Sequence, residues 1–447
     1  MLIKEIFKDK KILLWTILGV FLIIGGLVFY YSFKYNNNIQ SEKSQIEDDE
    51  PDLNTENLQS DSKNEIIIVP KIDKELVSQK IEQGVDFLFR AENKETNGFY
   101  KMYDAVNDDF GTQVHSVYSA SIVYTLLNVY EFNKDKRIMD GVSKWADFLL
   151  FMQNNDKKDK RYGAFSYSYD LGKKEKEQKF VVGTSALNIL TLLKLHELNG
   201  NSKYLESAKL AGDWLVTMQQ PNGSIMSYSR YDNVKGKWVH SAKESFLYNG
   251  QVLTALSRLY KKTGDKKYYD SAEKIAIYFA EKYEKERDYI VDEYRTKNPI
   301  SNSWVVMSLM EFYKNANQDQ RYKSIVFELG DKILANQKTD ASNLLAQGMW
   351  NDAYSSSGIG WISEVMTEMY KFCKAENKTD CDKYKDASIL ATRWLIQNTY
   401  SEENSSSLKN PEMALGGIFW NVSNKYVRTD SICHGLNGYL GIVNEIK

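Results

Sequence analysis

The sequence predicts an all-α protein: a closed ring of six helical hairpins, with an inner barrel inside an outer shell. Three observations predict it. From residue 73 onward two kinds of helical segment alternate, at a repeat of roughly 60 residues. One kind carries apolar residues at three- and four-residue spacing with one polar face; the other is apolar nearly all round and so must be buried. The connections alternate as well. Short polar turns lead from a buried helix to the next amphipathic one, and long aromatic loops lead from an amphipathic helix to the next buried one.

The chain divides into a short N-terminus (1–11), an apolar helix (12–33), an acidic linker (34–71) and the helical body (72–447). The run "ILLWTILGVFLIIGGLVFYY" is charge-free and long enough to span the hydrocarbon core of a bilayer as one helix. Lys4, Lys8, Lys10 and Lys11 precede it and only Lys34 follows closely, so the N-terminus is expected in the cytoplasm and the body outside. No small-x-small cleavage pattern follows, which favours an uncleaved anchor over a signal peptide. The linker is polar, acidic and poor in apolar residues, the composition of a disordered tether.

Composition narrows the function. The chain holds 58 Lys+Arg against 60 Asp+Glu, which argues against a broad nucleic-acid-binding surface. Thirty Tyr, nineteen Phe and nine Trp supply both core packing and stacking surfaces, and only five Pro interrupt the helices. Cys373 and Cys381 flank a short turn where a disulfide can form outside the cell, which leaves Cys433 over.

The amphipathic set includes "MDGVSKWADFLLFMQNN" and "YKSIVFELGDKILANQ", which end in an apolar-then-amide signature. The buried set includes "VHSVYSASIVYTLLNVYEF" and "DSICHGLNGYLGIVNEI", studded with Gly, Ala and Ser that allow close approach. Trp145, Trp214 and Trp394 fall on outer helices and read as interlayer core.

This pattern resembles the (α/α)6 toroid, or six-hairpin fold, over about residues 73–447. Many glycoside hydrolases, unsaturated-uronide hydrolases, sugar lyases and the C-terminal domain of glucuronyl C5-epimerases share that shape, as do terpene cyclases and lanthionine synthetases. "LYNGQVLTALSRLYKKTGDKKYYDSAEKIA" and "YIVDEYRTKNPISNSWVVMSLMEFY" look most like the epimerase-type domain. Asn249-Gly250-Gln251 stands where that family reads roughly Gln-Gly-Gln, and Ser301-Asn302-Ser303 where it reads Leu-Asn-Gly. The resemblance implies a carbohydrate-active protein with no cofactor: a glycoside hydrolase first, a sugar lyase or uronate C5-epimerase second. A non-catalytic toroid that binds glycan or peptide is the third reading.

In such a ring the long loops and the first turns of the inner helices face one cleft. The rim acids are Asp104, Asp108, Asp109, Asp170, Asp232, Glu244, Asp292, Glu293, Asp352 and Asp430, with Glu364 one turn inside. Glycoside hydrolysis needs an acid and a base, about 6.5–9.5 Å apart for inversion or about 5–5.5 Å for retention. Asp352, Glu364, Asp292, Glu293, Glu244 and Asp430 are the candidate catalytic groups. Glu364 follows Trp361 in an apolar setting that favours its protonated form, and Asp430 doubles as an N-cap of the last helix. Candidate substrate contacts are His115, His240 and His434; Tyr228 and Tyr248; Arg230, Arg295 and Arg428; and Trp238, Trp304, Trp350, Trp361 and Trp420. Arg295 and Arg428 suit the fork that binds a uronate carboxylate, or a salt bridge between loops. His115 and His434 become neighbours if the ring closes, and His196, at the far end of its helix, reads as structural.

Cys433-His434-Gly435 resembles the zinc pair of lanthionine synthetases, but the place for a further cysteine ligand holds Ser355, Ser356 and Ser357. No metal is expected. Asp-rich metal runs, a P-loop, a G-x-G-x-x-G and a G-x-S-x-G are all missing from the sequence.

Overall fold

The computed structural model describes residues 71–446 apart from 242, 296–297, 352 and 422. The expected anchor, nearly all of the linker and the candidate acid Asp352 lie outside the described residues. No helix among the described residues is long and apolar enough to cross a membrane.

In chain order the helices are α1 (Lys74–Arg90), α2 (Ser116–Asn133), α3 (Lys136–Met152), α4 (Val182–Asn199), α5 (Ser202–Thr217), α6 (Phe246–Thr263) and α7 (Lys266–Glu286). There follow α8 (Pro299–Asn315), α9 (Gln320–Ala335), α10 (Ser356–Ala375), α11 (Asp382–Gln397), two single turns α12 (Glu402–Ser405) and α13 (Pro411–Ala414), and α14 (Thr429–Ile442). The inner helices α2, α4, α6, α8, α10 and α14 each touch the next, and α14 touches α2, so the ring closes. Trp145, Trp214 and Trp394 are buried, as the amphipathic pattern of their outer helices requires.

Helix starts follow the expected chemistry. Asp135, Asn201, Asp265 and Asp319 begin outer helices from the short turns, each accepting a backbone N–H two residues on. At the fifth such turn Cys381 holds the cap position without a side-chain cap bond. There the Cys373–Cys381 disulfide pins the hairpin, with the two Cα atoms 5.6 Å apart.

The long loops are more ordered than a purely helical reading allows. They carry β1 (Met102–Tyr103), β2 (Gln113–His115), β3 (Ser168–Asp170), β4 (Glu175–Lys176), β5 (Lys179–Val181), β6 (Tyr228–Asp232), β7 (Lys237–His240) and β8 (Val427–Arg428). All pairings are antiparallel: β2–β3–β4, β5–β6–β7 and β1–β8. Each sheet joins loops of neighbouring hairpins. The β1–β8 pair, with Met102 opposite Arg428, joins the first hairpin to the last. Long loops leave backbone groups that need partners, and neighbouring loops at one rim supply them.

The amide that ends the outer helices acts as a tie. Gln153 Nε2 donates to Gly163 O in its own loop at 2.8 Å and to Ser207 O on the next outer helix at 2.9 Å. Gln219 bridges Gly223 O and Ser271 O, and Gln337 bridges Gly348 O and Ala387 O, in the same way. Gly163 and Gly348 have φ of +90° and +99°, and a Cβ at either would collide with the carbonyl of Leu210 or Leu390. On the inner side, Ser119, Ser185, Asn249 and Asn302 accept the N–H of Phe99, Phe165, Ile225 and Ile290. The small polar residues of the buried helices thus receive the start of each loop, and Asn249 and Asn302 are structural.

Gln153→Ala strips two buried carbonyls of their donor. It is expected to cost about 1–3 kcal/mol in denaturant unfolding, while Lys157→Ala, on the exposed loop nearby, leaves the midpoint unchanged.

Candidate active site

The first turns of α10 and α14 build one wall of the ring mouth. Arg428 Nε donates to Asp430 Oδ1 at 3.0 Å and its Nη2 donates to Asp430 Oδ2 at 2.7 Å, a bidentate pair. The same Nη2 donates to Tyr118 OH of α2 at 2.9 Å, and the guanidinium lies 4.7 Å from the Trp420 ring centroid. Ser357 Oγ of α10 donates to Asp430 Oδ2 at 3.0 Å. Burial alone would raise the Asp430 carboxyl, but the Arg428 charge and hydrogen bonds outweigh it and hold the group below the usual carboxylate range.

One turn deeper on α14, His434 Nδ1 meets Glu364 Oε2 of α10 at 2.9 Å. Asn437 Nδ2 donates to Glu364 Oε1 at 3.2 Å, and Asn128 Nδ2 of α2 donates to Asn437 Oδ1 at 3.1 Å. In the tautomer that carries its proton on Nδ1, His434 donates to Glu364 and Nε2 keeps its lone pair. The His434 ring stands edge-on to Trp361 at 5.2 Å, and Trp361 stacks on Trp304 of α8 at 3.7 Å. His434 and Glu364 keep 21% and 18% of their side-chain surface open, so the pair is partly sheltered yet reachable.

His115 ends β2, buried, with its ring edge-on to Tyr118 at 5.6 Å and Tyr167 at 5.3 Å. Tyr118 bonds Arg428, so ring closure links the His115 region to the α14 wall through this tyrosine. On the other side, Lys179 lies 4.6 Å from the Tyr167 ring centroid and 5.9 Å from that of Tyr228.

Other candidates are taken up by the fold. Asp292 accepts the N–H of Phe246 at 2.7 Å and those of Tyr294 and Arg295, and Glu293 accepts the N–H of Glu244 at 2.6 Å. Glu244 pairs with Tyr278 and with Lys282 on the outer helix α7. Burial raises its carboxyl, and the Lys282 charge only partly offsets this. Asp104, Asp109, Asp170 and Asp232 accept N–H groups of their own turns, and Asp108 accepts from Tyr103 and Asn410.

The tryptophans are mostly covered. Trp350 is fully buried, Trp420 is sandwiched between Tyr426 and Arg428, and Trp238 stacks on Phe180 under the Arg161 guanidinium. Arg230 and His240 lie on β6 and β7, with His240 exposed. Tyr248 is edge-on to Tyr294, beside Arg295. His196 Nδ1 lies 3.1 Å from Asn201 O. Among the described residues no three His, Cys, Asp or Glu side chains gather as metal ligands. Sequence reasoning named Ser357 only as a residue at the place of a missing cysteine ligand, and did not single out Tyr118, Asn437 or Asn128; these four orient the wall. Asn437 alone had a local signal, one turn beyond His434 on the same helix face.

The model for glycosyl hydrolase family 76 matches residues 182–358, from α4 into α10. No curated protein matches the sequence. Among solved structures, a cellobiose 2-epimerase from Bacillus thermoamylovorans is similar with a TM-score of 0.64 and 12% identity, over 83% of this chain and 100% of that one. A GH76 alpha-mannanase from Bacteroides thetaiotaomicron has a TM-score of 0.61 and 13% identity, over 83% and 96%. An unsaturated glucuronyl hydrolase specific for heparin has a TM-score of 0.60 and 12% identity, over 83% and 98%. The chain has the six-hairpin (α/α)6 toroid fold of these structures. The match to glycosyl hydrolase family 76 over residues 182–358 supports a glycoside hydrolase-like enzyme. The resemblance read from the alternating helices of this toroid holds, with short rim sheets added.

Because Asp430 is held below its unfolded value of about 3.9, its stabilising contribution is complete well above that pH. It is lost as pH falls through the folded value. Asp430→Asn leaves Arg428 without its carboxylate and is expected to cost about 3–5 kcal/mol at neutral pH. Unfolding measured from pH 7 down to pH 3 should show the gap between wild type and variant narrowing.

Proposed function

We propose that the toroid is a carbohydrate-active enzyme whose proton-transfer group is the His434–Glu364 pair. The observation that carries this reading is the 2.9 Å contact between His434 Nδ1 and Glu364 Oε2, partly open beneath the mouth of the ring. A carboxylate on Nδ1 fixes the tautomer, leaves Nε2 to accept a proton and stabilises the imidazolium that results. In the reverse sense the pair delivers a proton to a departing sugar oxygen. The match to glycosyl hydrolase family 76 favours cleavage of a glycosidic bond as the first reading. Hydrolysis also needs a group to activate water. Asp430 is ionised but committed to Arg428, so Asp352 remains the proposed partner.

A second reading is epimerisation or isomerisation, in which one group removes and returns a proton beside a sugar carbonyl. The specific observation behind it is that the sheltered acid is paired with a histidine, which serves in both directions, and not with a second carboxylate. Product analysis separates the two: hydrolysis creates new reducing ends, whereas epimerisation changes the sugar without shortening it. In either case His434→Gln and Glu364→Gln are each expected to lower kcat by about 10²–10⁴-fold, with KM nearly unchanged. Full activity in both variants would remove the pair from the chemistry.

The body is proposed to stand outside the membrane on the anchor at 12–33. The charge-free run and its preceding lysines support this, as does the Cys373–Cys381 disulfide, a bond suited to an oxidising compartment. Protease added to intact cells is expected to degrade the body, and the denatured, unreduced protein to titrate one thiol, that of Cys433. Protection of the body in intact cells would overturn the placement.

A further inference from the structure

We propose that Arg295 and Gln251 form a subsite that reads an anionic substituent on the saccharide, so that the substrate is an acidic sugar chain. The proposal rests on the carbohydrate reading above and names the substrate class of that site.

Arg428 and Arg295 differ in one respect. Arg428 already holds a carboxylate, bidentate, from Asp430. Arg295 is only 7% exposed, yet its guanidinium makes no hydrogen bond or ion pair among the described residues, and its Nε is fully enclosed. The acids beside it in sequence hydrogen-bond to backbone N–H groups. Asp292 accepts backbone N–H groups, including that of Arg295 itself, and Glu293 accepts the N–H of Glu244. A buried guanidinium with no hydrogen-bonded acceptor is costly, and an arriving anion supplies one.

Gln251 is the second observation. It lies on α6, is 6% exposed, and its side-chain amide has no hydrogen-bond partner among the described residues. Gly183 makes room for it, since a Cβ there would collide with Gln251 Oε1. The Arg295 loop is tied to the start of α6 by the Phe246 N–H donating to Asp292 Oδ2 at 2.7 Å, and by the edge-on contact of Tyr248 with Tyr294. The fork and the amide therefore belong to joined elements of one wall. The planar guanidinium suits a carboxylate, sulfate or phosphate, and the amide suits a neighbouring sugar hydroxyl.

The test is calorimetric titration of the full chain with four oligosaccharides of equal length: neutral mannose-based, uronate, sulfated and phosphorylated. At least one acidic ligand is expected to bind ten- to a hundredfold more tightly than the neutral one, and which it is identifies the anion. Arg295→Gln is expected to abolish that preference while keeping affinity for the neutral ligand, and Arg295→Lys to retain part of it. Equal binding of neutral and acidic ligands by the wild type overturns this proposal and leaves the carbohydrate reading standing. So does an Arg295→Gln variant that keeps the preference. Failure of every saccharide to bind overturns both.

Discussion

The whole architecture depends on the burial of six helices that have no polar face to give to water. A row of such helices is apolar at both ends. Closing the row removes the ends, because α14 packs against α2 as well as α10. The closure is reinforced by hydrogen bonds at the rim: β1 pairs with β8, and the Thr429 N–H donates to Lys101 O at 3.0 Å. An outer shell of amphipathic helices then covers the barrel and meets solvent with its charged side.

Closure creates a second demand. Each hairpin must carry the chain from the outer layer to the rim and back, and the backbone of that passage needs partners. The repeated glutamine at the end of an outer helix meets it on the outside, and a serine or asparagine in the first turn of an inner helix meets it within. These ties hold the loops against neighbouring hairpins. They also absorb most rim carboxylates, which fold back on N–H groups of their own turns or of the next loop. Among the described residues, a histidine and a glutamate from different helices meet on the α10–α14 wall.

Much of the candidate site was legible from residue type and position. Arg428, Asp430 and His434 were assigned to the mouth by their places at the start of the last inner helix, and Glu364 by its place one turn inside another; the structure pairs Arg428 with Asp430 and Glu364 with His434. Their partnerships were not legible, because 73 and 70 positions separate Ser357 from Asp430 and Glu364 from His434. Nothing in either local sequence specifies the other. The aromatic candidates show the converse. Trp350 and Trp420 are rim residues by position, but the packing of neighbouring loops covers their faces.

By itself, the sequence determined the number of hairpins and the assignment of inner and outer helices. Those follow from periodicity and composition within segments shorter than 25 residues, where neighbours in the chain are neighbours in space. Only the tertiary structure decided which rim acids are spent on backbone N–H groups and which arginine already holds its carboxylate. The same is true of the three small sheets that join adjacent loops. Each of these depends on two loops meeting after the ring has closed, and hydrogen-bond competition between distant groups leaves no periodic trace in the chain.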